Sequence, residues 1–367
     1  MRTVRRLLYG DILSAVAFTA VAFLALFFFI DFVEELEDLG RNGYELHEAL
    51  LHSLLQMPGH LYELAPIAVL IGTIFSMARL AQSSEFTILR TSGLGPLRAL
   101  GLLTVLGVMF GLLTFAVGDY VAPLAEQQAV LLKSQQGQGG GAGAWLKDRR
   151  VTAEGERSYS IHVGSASVDG DLRQVRIFEF DTDGRLVRRI GAERGQVIDG
   201  EGWRLENVRI SRWHGDDGRD APRLADLRQP ELEWPNAIGR GVLAAAVLRP
   251  KDMSTVELWR YTGHLADNEQ AGQRYEIQFW RKALYPLACL VMMALALPFA
   301  YLRARSGGVS LKVFGGIMLG ISFVLLNNVA AHIGLLQNWT PWLVAAAPSL
   351  LYLALSLAAF HWLVRHR

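Results

Sequence analysis

Six apolar runs, each long enough to cross a hydrocarbon core about 30 Å thick, constrain this chain more than any other feature. They cover approximately residues 12–33, 61–80, 97–121, 277–302, 309–335 and 341–364. Each predicts a helix, because a backbone in lipid must satisfy its own amides. Runs this continuous are not the alternating strands, about ten residues long, of a membrane barrel. The runs fall into two blocks of three, and the stretch between the blocks is polar, charged and rich in glycine. Composition agrees: 51% of the 367 residues are apolar and 19% charged, too apolar for a soluble protein of this size. Arg2, Arg5 and Arg6 precede the first run as they would precede a secretory signal. Residues 12–30, however, are interrupted only by Ser14 and Thr19 and exceed a signal core of about 7–15 residues, so the run is read as a retained span.

Lysines and arginines beside the runs set the orientation. Arg2, Arg5 and Arg6 precede the first; Arg79, Arg90 and Arg98 lie between the second and third; Arg303, Arg305 and Lys312 lie between the fourth and fifth; Arg365 and Arg367 follow the sixth. All four sites fall on one side, which predicts cytoplasmic termini and a middle domain outside. The opposite ends carry Asp31, Glu34, Glu35, Glu37 and Asp38 after the first run, and Gln337, Asn338 and Trp339 after the fifth. The arginines of the middle domain do not alter the count, because long domains translocate largely regardless of charge. A formal charge of +1 argues against a nucleic-acid partner, which would need a dense basic face. Cys289, the sole cysteine, lies in an apolar run, so no disulfide staples the middle domain.

From about Arg150 to Trp234 the pattern changes to short alternating segments. Residues 159–163 alternate; 175–180 and 185–190 flank Asp181-Thr182-Asp183-Gly184; 197–198 and 203–210 flank Asp199-Gly200-Glu201-Gly202. These are hairpin signals, and they suggest a small sandwich, a jelly roll or a partly open barrel. Residues 137–143 read as a flexible glycine-rich approach with no phosphate-binding role, since no Lys-Ser/Thr follows in a strand–loop–helix setting. Between Thr255 and Arg274 the chain reads as a polar helix with Leu258, Tyr261 and Leu265 on one face, leading back to the fourth run. The expected fold class is an α-helical polytopic membrane protein of six transmembrane helices with an inserted all-β domain. It divides as residues 1–129, 130–265 and 266–367.

Chemical motifs are absent. There is no Walker A sequence, HExxH, paired-cysteine metal site or nucleophile elbow, so neither a catalytic residue nor a metal site is expected. Charges at membrane depth are the next candidates, because burying one costs several kcal/mol unless it is paired or hydrated. Asp31, Asp119, Arg281 and Lys282 sit at outer span ends. Two readings stay open for them: interfacial snorkelling, or a polar lining for an amphiphilic substrate. In the second, Lys133, Arg281 and Lys282 contact phosphate directly, whereas the acids need a bridging divalent cation.

The stretch 82–93, QSSEFTILRTSG, predicts a short helix over about 83–93. Ser83 or Ser84 caps it, Glu85 lies in the first turn where the helix dipole favours an anion, and Gly93 stops it. Phe86, Ile88 and Leu89 then form an apolar surface on a helix too short to span. It either lies on the membrane or docks a cytoplasmic motor, with Phe86 or Leu89 in a groove of the partner and Glu85 against a basic side chain.

Those residues carry a resemblance. Residues 77–93 (MARLAQSSEFTILRTSG), 120–129 (YVAPLAEQQA), 143–148 (GAWLKD) and 274–297 (RYEIQFWRKALYPLACLVMMALAL), in this order within a three-plus-three topology, resemble the LptF/LptG permeases of the lipopolysaccharide-exporting ABC transporter of Gram-negative inner membranes. AQSSEFTILRTSG and GAWLKD read closer to the LptG branch than to LptF. The resemblance implies a non-catalytic permease with a periplasmic β-jelly roll, and a lateral gate that includes the first and fifth spans. It also implies a coupling helix, with Ser84, Glu85, Phe86, Leu89 and Arg90, seated on an LptB-like ATPase dimer that holds ATP and Mg2+. An LptF-like permease, LptC-like and LptA-like periplasmic proteins, lipopolysaccharide and membrane lipid are the implied partners, with no cofactor in this chain. The sequence departs from the family after the first span. Where LptG chains carry lysines it has Asp31, Glu34, Glu35, Glu37 and Asp38, with only Arg41 positive, so the resemblance does not carry direct phosphate contact to this helix end. Lys133 falls where the family is basic. Candidate substrate-facing residues are therefore Asp31, Glu34, Arg41, Lys133, Arg281 and Lys282. A membrane-anchored sensor with a ligand-binding β-domain is the rival of another class, and a secondary transporter acting alone is a third reading.

Overall fold

A computed structural model of the chain describes residues 2–40, 44–91, 93, 95–135, 144–152, 155–166, 170–198, 202–214, 223–236, 238, 250–251, 253–267, 272–301 and 308–365. Helices α1 (Arg2–Leu36) and α2 (Leu46–Gln82) are followed by the short α3 (Glu85–Thr91). Helix α4 (Pro96–Ala116) then runs through one π-helical turn, Val117–Val121, into α5 (Ala122–Gln135). Six strands come next: β1 (Ala144–Thr152), β2 (Gly155–Ala166), β3 (Asp171–Phe180), β4 (Leu186–Ile198), β5 (Gly202–His214) and β6 (Arg223–Trp234). Helices α6 (Thr255–Asp267), α7 (Gln273–Tyr301), α8 (Val309–Leu336) and α9 (Pro341–Arg365) complete the order. Among the described residues six stretches are long and apolar enough to cross a membrane: Arg5–Leu36, Leu46–Gln82, Pro96–Ala129, Gln273–Phe299, Val309–Leu336 and Pro341–Trp362. The chain is thus a helical membrane protein with an inserted β domain. It forms two compact units, Met1–Ala129 with Glu276–Arg367, and Val130–Tyr275.

In the membrane unit α2 is the hub. Its Val69 and Met77 pack with Leu8 and Ile12 of α1, Leu103 of α4 and Met293 of α7, whereas its Leu70 and Ile74 pack with Met292 of α7, Phe323 of α8 and Tyr352 of α9. Gly72 makes the closest approach possible, since a Cβ there would lie 2.6 Å from the Val16 backbone of α1. Helix α2 begins at Leu46 rather than near residue 61, and its 37 residues span about 55 Å, well beyond the hydrocarbon core. The added turns carry His52, Gln56 and His60, too polar to read as a span. They are helical because the Glu48 carboxylate accepts from the Glu45 N–H at 2.9 Å and because Ala49, His52 and Ser53 are buried.

In the other unit the strands pair antiparallel in chain order, β1 to β6, which the sequence left open. The expected turn at 181–184 is present: Asp181 Oδ1 accepts from the N–H groups of Asp183 and Arg185 at 3.0 and 2.8 Å, and Gly184 takes a φ of +75°. One face is buried, with Ile161, Val163, Ile177, Ile190, Leu205 and Val208 each at most 1% exposed. That face is closed because the sheet rolls. Arg150 of β1 donates to the carbonyl of Pro235 just beyond β6, and its guanidinium stands 4.5 Å from the Trp234 ring and 4.8 Å from Tyr159. Burial pushes the Tyr159 phenol above its usual range, so it stays neutral there. Helix α6 buries Leu258, Tyr261 and Leu265 as expected. It starts on a capping box, Ser254 N–H to Glu257 at 2.7 Å and Glu257 N–H to Ser254 Oγ at 3.2 Å, and it ends at Asp267. The glycine-rich stretch 137–143, Arg41, Arg303 and Arg305 lie outside the described residues.

Candidate functional site

The α2–α3 corner turns on Ser84, a non-glycine residue at φ +64°, and the Ser84 carbonyl accepts the first helical bond from Ile88 at 3.2 Å. Ser83 Oγ donates back to Leu80 O at 3.3 Å. Glu85 lies in the first turn and is exposed. Gly93, at φ +98°, ends the segment, and Arg98 donates to its carbonyl at 3.2 Å. The role expected of Phe86 is corrected. It is 3% exposed and packs with Met77, Leu80 and Leu103, so it anchors α3 to its own protein rather than filling a partner's groove. Leu89 packs partly against the same cluster. Ile88, 62% exposed, holds the outward position that sequence reasoning gave to Phe86. The Arg90 side chain lies outside the described residues.

Polar contacts join α1 to α2 at both ends. Near the N-terminus Asp11 pairs with Arg79 and accepts from Ser76 Oγ at 2.8 Å. Asp11 is 15% exposed on a spanning helix, and the guanidinium and hydroxyl offset the cost of placing a carboxylate there. At the far end of α1, His60 Nε2 donates to Asp31 at 2.8 Å. One turn on, Glu35 accepts from Tyr44 OH at 2.9 Å and lies 3.3 Å from His52 Nε2. Burial, with the Glu35 bond adding to it, pushes the Tyr44 phenol above its usual range and keeps it a donor. Between these ties α1, α2 and α8 enclose a groove of about 800 Å³. Its walls are apolar, with Phe18, Phe23, Leu26, Phe75, Val313 and Ile317, and Asp11, Ser14 and Arg79 close one end. A volume of this size, apolar along its length and polar at one end, fits hydrocarbon chains.

Of the expected substrate residues, Arg281 and Lys282 come together on the wall of a small hollow of about 200 Å³, and Asp31 lies apart from them. Asp31 is 12% exposed and engaged with His60, and Glu34 is exposed on α1. Lys282 does not snorkel. It is 5% exposed, and its Nζ donates to the Gly118 carbonyl at 3.1 Å and stands 5.7 Å from the Tyr62 ring. The reason lies in the π-helical turn: the Ala122 N–H goes to Val117 O, and Pro123 has no N–H to offer, so Gly118 O takes its donor from α7. Arg281, beside it, donates to Asn328 at 3.3 Å. His60 and Tyr62 are two residues apart on α2, about 200° around the helix, so Asp31 and Lys282 lie against opposite faces of α2. Arg41 and the Lys133 side chain lie outside the described residues. Sequence reasoning missed Asp11 and used Arg79 only for orientation. The signal was available, since a carboxylate at the edge of one apolar run and an arginine at the matching edge of the next are natural partners.

Over residues 6–362 the chain matches the family described as lipopolysaccharide export system permease LptF/LptG. It is similar to lipopolysaccharide export system permease protein LptG of Haemophilus influenzae, 25% identical over 361 residues that cover 97% of each chain. It is also similar to the protein of the same name from Escherichia coli K12, 26% identical over 362 residues, 97% of this chain and 96% of that one. A match that runs through all six spans and the β insert between them decides the family: the chain belongs to the LptF/LptG lipopolysaccharide export permeases, as a multi-pass permease subunit of that transporter in the inner membrane.

Proposed function

We propose that this chain is the LptG-type half of the transporter, extracting lipopolysaccharide from the outer leaflet and handing it to LptC-like and LptA-like proteins in the periplasm. Both termini are cytoplasmic and the β domain is periplasmic. An LptF-like permease supplies the other half of the cavity, and an LptB-like ATPase dimer, which holds the ATP and Mg2+, sits on α3. The names of the similar proteins support the LptG assignment. The observation that carries the mechanism is the groove of about 800 Å³ whose polar end is the Asp11–Arg79 pair. Arg79 lies in the last turn of α2, its carbonyl accepts from Ser83 N–H at 2.9 Å, and α3 begins at Glu85. Displacement of α3 by the ATPase therefore pulls the end of α2, and Asp11 passes that movement to α1. The groove narrows and its contents move toward the periplasm. Glu85 and Ile88 are the residues offered to the ATPase, with Phe86 and Leu89 holding the helix in place.

Co-purification tests the reading. The chain with its wild-type α3 is expected to retain an ATPase subunit in detergent, and Glu85→Lys to release it while the permease stays folded. Unchanged association and ATPase activity in Glu85→Lys would remove α3 as the docking helix.

A further inference from the structure

The outward face of the β sheet carries an arrangement that the transport mechanism does not use. Strand pairing sets Trp145, His162, Arg176, Gly191, Arg209 and Arg228 side by side, one row crossing all six strands. Gly191 leaves a gap in that row, since a Cβ built there meets nothing closer than the Arg209 carbonyl oxygen at 4.0 Å. The gap is the floor of an open hollow of about 550 Å³. Arg176 and Arg209 flank it, two strand spacings or about 10 Å apart, and Arg189 borders it from two residues along β4. A phosphate group that accepts N–H bonds of about 2.8 Å on both sides bridges such a gap.

Among the described residues no carboxylate lies within ion-pair distance of Arg176, Arg189 or Arg209, although nearby arginines are paired: Arg188 with Glu179 at 2.6 Å and Arg204 with Glu231 at 2.9 Å. The acids that border the hollow are engaged by neutral partners, Glu193 by Asn207 at 3.2 Å and Asp226 by Ser211 at 2.5 Å. At the β1 end of the row Trp145 is 61% exposed, its ring held 4.9 Å from His162 and 6.0 Å from Phe178. An exposed indole braced in this way offers its face to the apolar C–H face of a sugar ring. Trp145 and Gly191 are three strand spacings, about 14 Å, apart. A ligand that reaches both is an oligosaccharide bearing an anionic substituent rather than a single sugar phosphate.

We propose that this face binds a phosphorylated oligosaccharide, with the phosphate over Gly191 between Arg176, Arg189 and Arg209 and a sugar ring stacked on Trp145. The identity of the saccharide rests on the transporter reading, because the polar head of lipopolysaccharide has this chemistry. The test uses the full chain in detergent micelles and three probes: the phosphorylated core oligosaccharide freed of its lipid, the same oligosaccharide dephosphorylated, and inorganic phosphate. The phosphorylated probe is expected to bind, and Arg176→Gln with Arg209→Gln to weaken it about tenfold or more. Gly191→Leu, which fills the hollow without changing charge, should give a similar loss. Trp145→Ala should weaken the oligosaccharide and leave inorganic phosphate unaffected. Equal binding of the dephosphorylated probe, or unchanged binding by both the arginine and the glycine variants, overturns the site. Inorganic phosphate binding as tightly as the oligosaccharide overturns the sugar assignment. If this binding is absent while lipopolysaccharide is still captured in the membrane groove, the present proposal alone fails. If it is present in a chain that captures no lipopolysaccharide in the groove, the transporter reading fails instead.

Discussion

The outer surfaces of the two units treat charge in opposite ways. In the membrane unit the buried charges face inward and are paired, Asp11 with Arg79, Asp31 with His60 and Lys282 with the Gly118 carbonyl, while Leu97 and Leu112 are 75% and 66% exposed on the outside. In the β unit the interior is mostly aliphatic and aromatic, and its buried acids are paired as well, Asp148 with Arg150 and Glu179 with Arg188, but among the described residues Arg176, Arg189 and Arg209 stand outside without an acid. The difference follows from the solvent on each side. Lipid offers a stray charge no hydration, so a charge persists in a span only where a partner on another helix satisfies it. Each such pair is therefore a tie between helices, and its position marks where movement passes. Water hydrates an unpaired guanidinium at little cost, so the cations on the β unit stay available to a ligand.

The largest effects should come from packing and should separate the units. Trp203→Ala and Phe86→Ala remove side chains 1% and 3% exposed, and each is expected to cost about 3–5 kcal/mol in denaturant titrations. Trp203→Ala should make Val130–Tyr275 protease-sensitive with the membrane helices intact, and Phe86→Ala should do the reverse. Joint loss in both variants would break the division into two units. Smaller effects should follow charge removal. Asp31→Ala leaves a mostly buried His60, and Glu35→Ala leaves Tyr44 without its acceptor, so each should lose about 1–3 kcal/mol of thermal stability. Arg176→Gln should stay within about 0.5 kcal/mol of wild type. Equal losses at the three positions would remove the contrast. The smallest effect on stability belongs to Ile88→Asp, within about 0.5 kcal/mol because Ile88 is 62% exposed, yet that variant should lose the ATPase in a pull-down.

The spans were legible because hydropathy records solvent directly, and the hairpin at Asp181 because its turn chemistry is local. What stayed hidden depended on partners. Residues 46–60 do not read as part of a span, since His52 becomes a buried residue only when Glu35 meets it. A seven-residue helix does not reveal which side is its own core, so Phe86 and Ile88 exchanged roles. Lys282 looked like a lipid-surface lysine until the π-helical turn and Pro123 left a carbonyl for it on another helix. Strands β1 and β6 were obscured for a similar reason. The inward positions of β1 hold Asp148 and Arg150, bonded at 2.5 Å, and β6 is a polar edge interrupted by Pro230. The row of arginines around Gly191 was invisible without the register, which no local pattern specifies.

The claim that the groove between α1, α2 and α8 carries lipopolysaccharide under the control of α3 is tested most directly by a photocrosslinking residue at Phe18 in the assembled transporter, without and with ATP. Lipopolysaccharide should be captured without nucleotide, the yield should fall when ATP is added, and Asp11→Asn should abolish that fall. Capture of phospholipid alone, or a lipopolysaccharide yield indifferent to ATP in the wild-type complex, would contradict the account.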